Sequence, residues 1–175
     1  MEILDIYDKF GNKTGKTIVR GNKNFGDNEY IKLATLWLKS KDKYLLQVCS
    51  KEKGGEYAVT GGHVKTGATS LTQAVIEAQE ELNLDLQEDS LQFLGSIIIK
   101  HAIFDIYLHE DDNLSNYKFT LQTSEVESVL WLTKNQIESL PENLLRKSTK
   151  LQYDQYIKDK KWEGYLTFYF LLFLL

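Results

Sequence analysis

Three glutamates, Glu77, Glu80 and Glu81, stand at i, i+3 and i+4 in the run SLTQAVIEAQEEL. On a helix turning about 100° per residue that spacing brings their carboxylates within reach of one another. Like charges so placed repel by about 0.2–0.5 kcal/mol per pair, and no Lys or Arg occurs between residues 71 and 82 to offset them. A hard cation such as Mg²⁺ or Mn²⁺, which takes oxygen ligands, would relieve the repulsion. A solvated acidic face is the competing reading. The loop ahead of the helix, Gly61-Gly62-His63-Val64-Lys65-Thr66-Gly67, favours the metal. Its glycines let the backbone come close to a ligand, so a strand, a glycine loop and an acidic helix can together surround one ion.

The elements that must position these groups are legible in the hydrophobic pattern. The spacing predicts a helix over 70–82, with Ser70 as N-cap and Gln73 completing a capping box. Leu71, Ala74, Val75, Ala78 and Leu82 fall on one stripe, which faces a core. Alternating or β-rich runs predict strands over 2–7, 16–21, 30–38, 44–48, 57–59, 91–99, 101–108, 117–122 and 128–132. After Thr133 the pattern turns helical, first KNQIESL and then a polar-apolar mix through residue 161. This order implies an α/β (α+β) fold, a mixed sheet with helices packed outside it.

The 175 residues suit a single domain. The formal net charge of −4 shows no basic excess of the kind that marks a nucleic-acid binder. A phosphorylated ligand would then find its positive charge in a bound metal. Cys49 is the only cysteine, which excludes an intrachain disulfide and a cysteine zinc cluster. The start, MEILDIYDKF, lacks the layout of a signal peptide, and the expected location is cytoplasmic. Residues 164–175, GYLTFYFLLFLL, are nearly all apolar but fall short of the roughly 20 that span a bilayer. A buried terminal helix or an oligomer contact, hence a homodimer, is the expectation, with membrane association as the alternative.

Residues 62–84, GHVKTGATSLTQAVIEAQEELNL, resemble the Nudix box, G-x5-E-x7-R-E-U-x-E-E-x-G-U with U apolar. Gly62 matches the opening glycine, Glu77, Glu80 and Glu81 the three glutamates of the core, and Ala78 and Leu84 two of the apolar positions. The hairpin at the start, the LLQ-x-x-S-K-E-K run at 45–53 and LQTSEVESVLWL at 121–132 also look like a branch containing bacterial phosphohydrolases and akin to isopentenyl-diphosphate isomerase. The resemblance covers about residues 1–140. It implies a Nudix-like α/β/α sandwich with an N-terminal β-hairpin and loop (1–28), a core (29–140) and a C-terminal helical extension (141–175). The box departs at three positions: Ala68 replaces its first glutamate, Ile76 its arginine and Asn83 its late glycine. Asn tolerates the left-handed conformation, so Asn83 still suits a helix C-cap. Isoleucine cannot make the charged hydrogen bond by which the family arginine orients the adjacent glutamate.

The resemblance implies divalent-metal-dependent hydrolysis of a diphosphate bond in a nucleoside diphosphate-type or related small metabolite. Glu77 and Glu81 are the implied metal ligands, with Glu80 and the Gly61 carbonyl beside them. A general base from a later loop is implied, and Glu125 is preferred to Glu127. Gly62, His63, Lys51 and Lys53 are the candidates for substrate contact; the lysines read equally as exposed, and His63 as loop packing. Trp37 and Trp131 read as core residues, with stacking on a nucleobase as the alternative. His101, His109 and Cys49 have no expected role. Two other functions compete: a nucleotide-binding regulatory module that has lost turnover, motivated by Ala68 and Ile76, and an isopentenyl-diphosphate-type isomerase.

Overall fold

A computed structural model describes residues 2–159 of the chain. The apolar run 164–175, and with it the expected self-contact, lies outside the described residues. The chain opens with a hairpin, β1 (Ile3–Tyr7) and β2 (Lys13–Val19), that forms a sheet of its own. The central sheet is built from β3 (Ile31–Ser40), β4 (Lys43–Cys49), β5 (Tyr57–Ala58), β6 (Thr60–His63), β7 (Gln92–Ile99), β8 (Ala102–Glu110) and β9 (Val126–Thr133). Its main order is β5-β4-β3-β8-β7, with β6 paired to β3 and β9 to β4. β3 and β8 are parallel, in register from Ile31↔Ala102 to Lys39↔Glu110, and the other pairs are antiparallel, so the sheet is mixed.

Alternation along β3 divides the core. Ala34, Leu36 and Leu38 face helix α1 (Ser70–Leu82), joined by Leu45, Val64, Ala74, Ala78 and Leu82. Trp37 points the other way, with Tyr44, Leu46, Ile106 and Leu108, onto α2 (Lys134–Glu138), α3 (Lys147–Gln152) and the π-helical turn Tyr153–Ile157. Helices thus cover both faces, and the expected α/β/α sandwich is the observed one. The predicted stripe of α1 is its buried face: Ala74, Ala78 and Leu82 are inaccessible, and Leu71 and Val75 pack beside them. Burying a side chain like Leu82 contributes about 1.5–3 kcal/mol.

Three local expectations are corrected. The N-cap of α1 is Thr69, one residue before Ser70; its hydroxyl accepts from the Thr72 N–H at 3.0 Å. Ser70 instead hydrogen-bonds the Tyr107 hydroxyl, and Gln73 turns inward rather than closing a capping box. At the other end Asn83 takes the expected left-handed conformation, φ 53°, and the Asn83 and Leu84 N–H groups return to Gln79 and Ala78. Residues 117–122 are extended but form no strand. The Thr120 and Gln122 N–H groups donate to the Leu82 and Glu81 carbonyls, and the Tyr117 hydroxyl donates to Asn83 O. The segment satisfies the free carbonyls of the helix end instead of pairing with a strand. The C-terminal helices are also shorter than the pattern suggests, because residues 139–146, which contain Pro141, run outside a helix.

Candidate active site

β6 lies against β3, with Gly61 opposite Thr35 and Gly62 opposite Ala34. A Cβ on Gly61 would lie 2.4 Å from the Ala34 carbonyl oxygen, and one on Gly62 would lie 2.0 Å from Glu77 Oε1. Both glycines therefore answer to space: the first lets the strands meet, the second admits the glutamate. Past β6, the Thr66 N–H donates to Ile3 O and the Gly67 N–H to Asp5 Oδ2, so the hairpin pins the loop that delivers α1.

Glu77, Glu80, Glu81, Gly61 and Gly62 line one cleft of about 210 Å³. Glu81 is buried. Gln47, on β4 and also buried, donates from Nε2 to Glu81 Oε2 at 2.8 Å and to Thr60 Oγ1 at 2.7 Å, and the Gly61 N–H adds a donor at 3.3 Å. Even so, burial, reinforced by Glu77, pushes the Glu81 carboxyl up to about 8. Burial also raises Glu77, although its Oε1 accepts from Gln73 Nε2 at 2.8 Å. Glu80 differs, since its side chain is 51% exposed and leans toward Lys65, 3.7 Å away.

No group of three or more His, Cys, Asp or Glu among the described residues is arranged to hold a metal ion by itself. The sequence suggests a closed trio, whereas the fold draws in Glu77 and Glu81 and leaves Glu80 at the rim. The donor set nevertheless fits a hard cation of the Mg²⁺ type. Such an ion keeps several waters and needs only one or two carboxylates plus substrate phosphates. Two neighbouring carboxylates, both raised by burial and both anchored by neutral amides rather than by cations, have a charge deficit that an ion would fill.

The cleft also holds residues that the sequence does not single out: Gln47, Gln122, Arg20, Glu2 and Arg146. Of the expected substrate contacts, Gly62, His63 and Lys53 line it. Burial and the nearby Arg20 lower the pKa of His63. Lys51 is exposed and outside the lining, because the 3-10 turn Lys51–Lys53 directs only its last lysine inward. Glu125 lines the cleft and pairs with Lys53 at 3.1 Å, while Glu127 is exposed elsewhere. Trp37 is core; Trp131, partly buried, packs beside Phe119 against the α1-side core, and neither lines the cleft. His101 stacks on Phe25, and His109 bonds Ser90 O. Cys49 does line the cleft, beside Arg146 Nη2, but burial raises its thiol pKa.

No family model matches the chain. A protein named Nudix hydrolase 3 from Arabidopsis thaliana is 30% identical over 151 residues, 75% of this chain but 19% of its own length. The chain thus spans about a fifth of that relative. An uncharacterized Nudix hydrolase of Listeria monocytogenes is 28% identical over 146 residues, 80% of this chain and 85% of its own. Among solved structures, a Deinococcus radiodurans protein superposes with a TM-score of 0.63 at 21% identity, covering 78% of this chain and 86% of that one. A MutT Nudix hydrolase from Burkholderia pseudomallei does so with 0.59 at 18%, covering 71% and 96%. At these identities the structural matches speak for the fold alone.

Proposed function

The chain belongs to the Nudix family, and from that premise we propose that it hydrolyses the diphosphate bond of a small phosphorylated metabolite with the help of a divalent ion, Mg²⁺ or Mn²⁺. The observation that supports this most is the half-buried Glu77 and the buried Glu81 beside Gly61 and Gly62, each carboxylate held by its own glutamine. Glu77, Glu81 and the Gly61 carbonyl would hold the ion, with Glu80 at the rim. When bound, such an ion supplies Lewis acidity toward phosphate oxygens and water.

The chain's own groups do the rest. Gln47 and Gln73 fix the glutamates before substrate arrives, so little reorganisation remains at the moment of reaction. Lys53, Arg146 and His63 line the cleft and would meet the substrate's phosphates there. Glu125 accepts a proton from the attacking water. A new P–O bond forms as the bridging P–O bond breaks, and its electron pair departs on the leaving phosphate. Because the Lys53–Glu125 pair is partly exposed, a phosphate that takes Lys53 leaves Glu125 free to accept that proton.

The competing reading, a binding module without turnover, has in its favour Ala68, Ile76 and the absence of a closed carboxylate cage among the described residues. An isomerase has less, since Cys49 precedes the box and burial raises its thiol pKa. Release of phosphate or diphosphate from a broad panel with Mg²⁺ or Mn²⁺ separates these readings. Turnover is expected, and Glu81→Gln should abolish it; wild-type rates in that variant would sink the ligand assignment. A panel without turnover, in which a nucleotide still raises the melting temperature, decides for the binding module.

A further inference from the structure

We propose that Arg146 is a positioning residue for the candidate site: it fastens the loop between β4 and β5 and so holds Lys53 beside Glu125. Its effect on turnover rests on the hydrolase reading above; its hold on the loop does not. Arg146 reaches the cleft by strand alternation. The Tyr57 N–H donates to Leu144 O at 2.6 Å, and the Arg146 N–H donates to Tyr57 O at 2.8 Å, so residues 144–146 run parallel alongside β5. Leu145, between them, is buried in the same core as Ile137 of α2. Arg146, the next residue, turns out of that core and lines the cleft.

The loop, residues 50–56, is tied down at its base by Ser50, whose N–H donates to Glu125 O at 2.8 Å and whose hydroxyl donates to Ser124 O at 2.9 Å. Its tip turns through Gly54 and Gly55, both left-handed, at φ 102° and 68°. A Cβ on Gly55 would meet nothing within 4 Å, so that glycine answers to backbone conformation and not to space. Glycines in succession make the turn costly to order. The Arg146 guanidinium closes it from outside. Nε donates to Glu56 Oε2 at 3.1 Å, and Nη2 donates to Lys53 O at 3.3 Å and to Cys49 Sγ at 3.2 Å. One planar group thus meets the strand end before the loop, the tip of the loop and its exit. A partly exposed ion pair such as Arg146–Glu56 is worth little by itself. A fork that grips the same loop at several points needs the shape of arginine and not merely its charge. Lys53, carried on the tip, places Nζ 3.1 Å from Glu125 Oε1. Ser50 secures one end of that pairing and Arg146 the other. Any contact that Arg146 makes with a phosphate is additional.

Loop and reaction are measured separately, on the full chain. The Lys53–Gly54 bond is a trypsin site, and its carbonyl is the one that Arg146 holds. Cleavage there in the native protein, followed by mass spectrometry, should be about tenfold faster in Arg146→Ala than in wild type, the worth of a hydrogen bond to a charged group. Circular dichroism should not change. Arg146→Lys should be cleaved as fast as the alanine variant. Glu56→Ala, which removes the acceptor at the loop's exit, should also speed cleavage, and it carries the test if Arg146→Ala does not fold. With Mg²⁺ and adenosine diphosphate, Arg146→Ala should lower kcat/KM about tenfold. The same substitution in a Lys53→Ala background should cost nothing more, because a residue acting through Lys53 has nothing left to position. Cleavage at the wild-type rate in folded Arg146→Ala or in Glu56→Ala, restoration by lysine, or an undiminished loss in the Lys53→Ala background overturns the proposal. If adenosine diphosphate is not turned over even by wild type, the cleavage rates alone decide whether Arg146 holds the loop, and the substrate panel judges the hydrolase reading.

Discussion

Gln73 precedes Glu77 by one helical turn, is fully buried, and donates its side-chain N–H to Glu77 Oε1 at 2.8 Å. The family box assigns the orienting of this glutamate to an arginine, at the position where this chain has Ile76. Here a neutral amide on the same helix does the orienting. Replacing Gln73 with leucine, of similar volume, should lower kcat about tenfold, the worth of a hydrogen bond to a charged group. KM should change less. Circular dichroism establishes that the variant is folded, and a wild-type kcat in the folded variant would refute the assignment.

The two adjacent glycines should fail differently when given a methyl group. Gly62→Ala drives a Cβ into the Glu77 carboxylate, a flexible side chain that can swing aside. The expected variant is folded, with melting close to wild type, but inactive. Gly61→Ala drives its Cβ into the Ala34 carbonyl, which belongs to the central strand and cannot move. That variant should melt well below wild type, a direct comparison by differential scanning calorimetry.

The buried acid makes the metal-free protein sensitive to pH. Glu81 is raised from 4.5 to about 8 in the folded state, so the folded protein holds this proton more tightly than the unfolded chain. The associated stability is complete below about 4.5 and drains away as pH climbs through 8. Each tenfold gain in proton affinity is worth about 1.4 kcal/mol, so the whole effect is a few kcal/mol. Glu77, also raised, acts in the same direction. In the presence of a chelator the melting temperature should fall between pH 5 and pH 8. On the proposed reading Mg²⁺ would bind the ionised form and should restore it at pH 8, and Glu81→Gln should flatten the slope. A chelated wild type with a flat profile would contradict this.

The start of α1 offers a test independent of the chemistry. Thr69→Ala removes the hydroxyl that accepts from the Thr72 N–H, at a cost of about 1 kcal/mol. For a domain of this size that corresponds to a drop of about 2–4 °C in melting temperature. Ser70→Ala should not lower it through the helix cap, since Ser70 bonds Tyr107 instead.

Much of the fold is written in local pattern. The stripe from Leu71 to Leu82, the alternation along β3 and the left-handed preference of Asn83 all act within a turn or a strand, where periodicity is readable. The glycine loop and the paired acids are likewise legible. What escapes depends on the far side of the chain. Gln47 and Glu81 are 34 positions apart, and Arg146 and Glu56 are 90 apart; only the sheet order brings them together. Residues 117–122 have strand composition, yet the free carbonyls of α1 capture them first. Gln73 alone leaves a local sign, its i, i+4 spacing to Glu77, which also matches a capping box one residue out of step.

The parallel pairing of β3 with β8 joins segments some seventy positions apart, and Gly61 and Gly62 take their register from that same β3. Closing so long a loop is entropically uphill until the contacts are made, and chains dominated by such pairings mature slowly. The acidic helix can form early, from its own cap and stripe, but its glycine partner has no fixed seat until the sheet's middle zips. Metal affinity should therefore emerge in the last phase of refolding, well after helical signal has recovered.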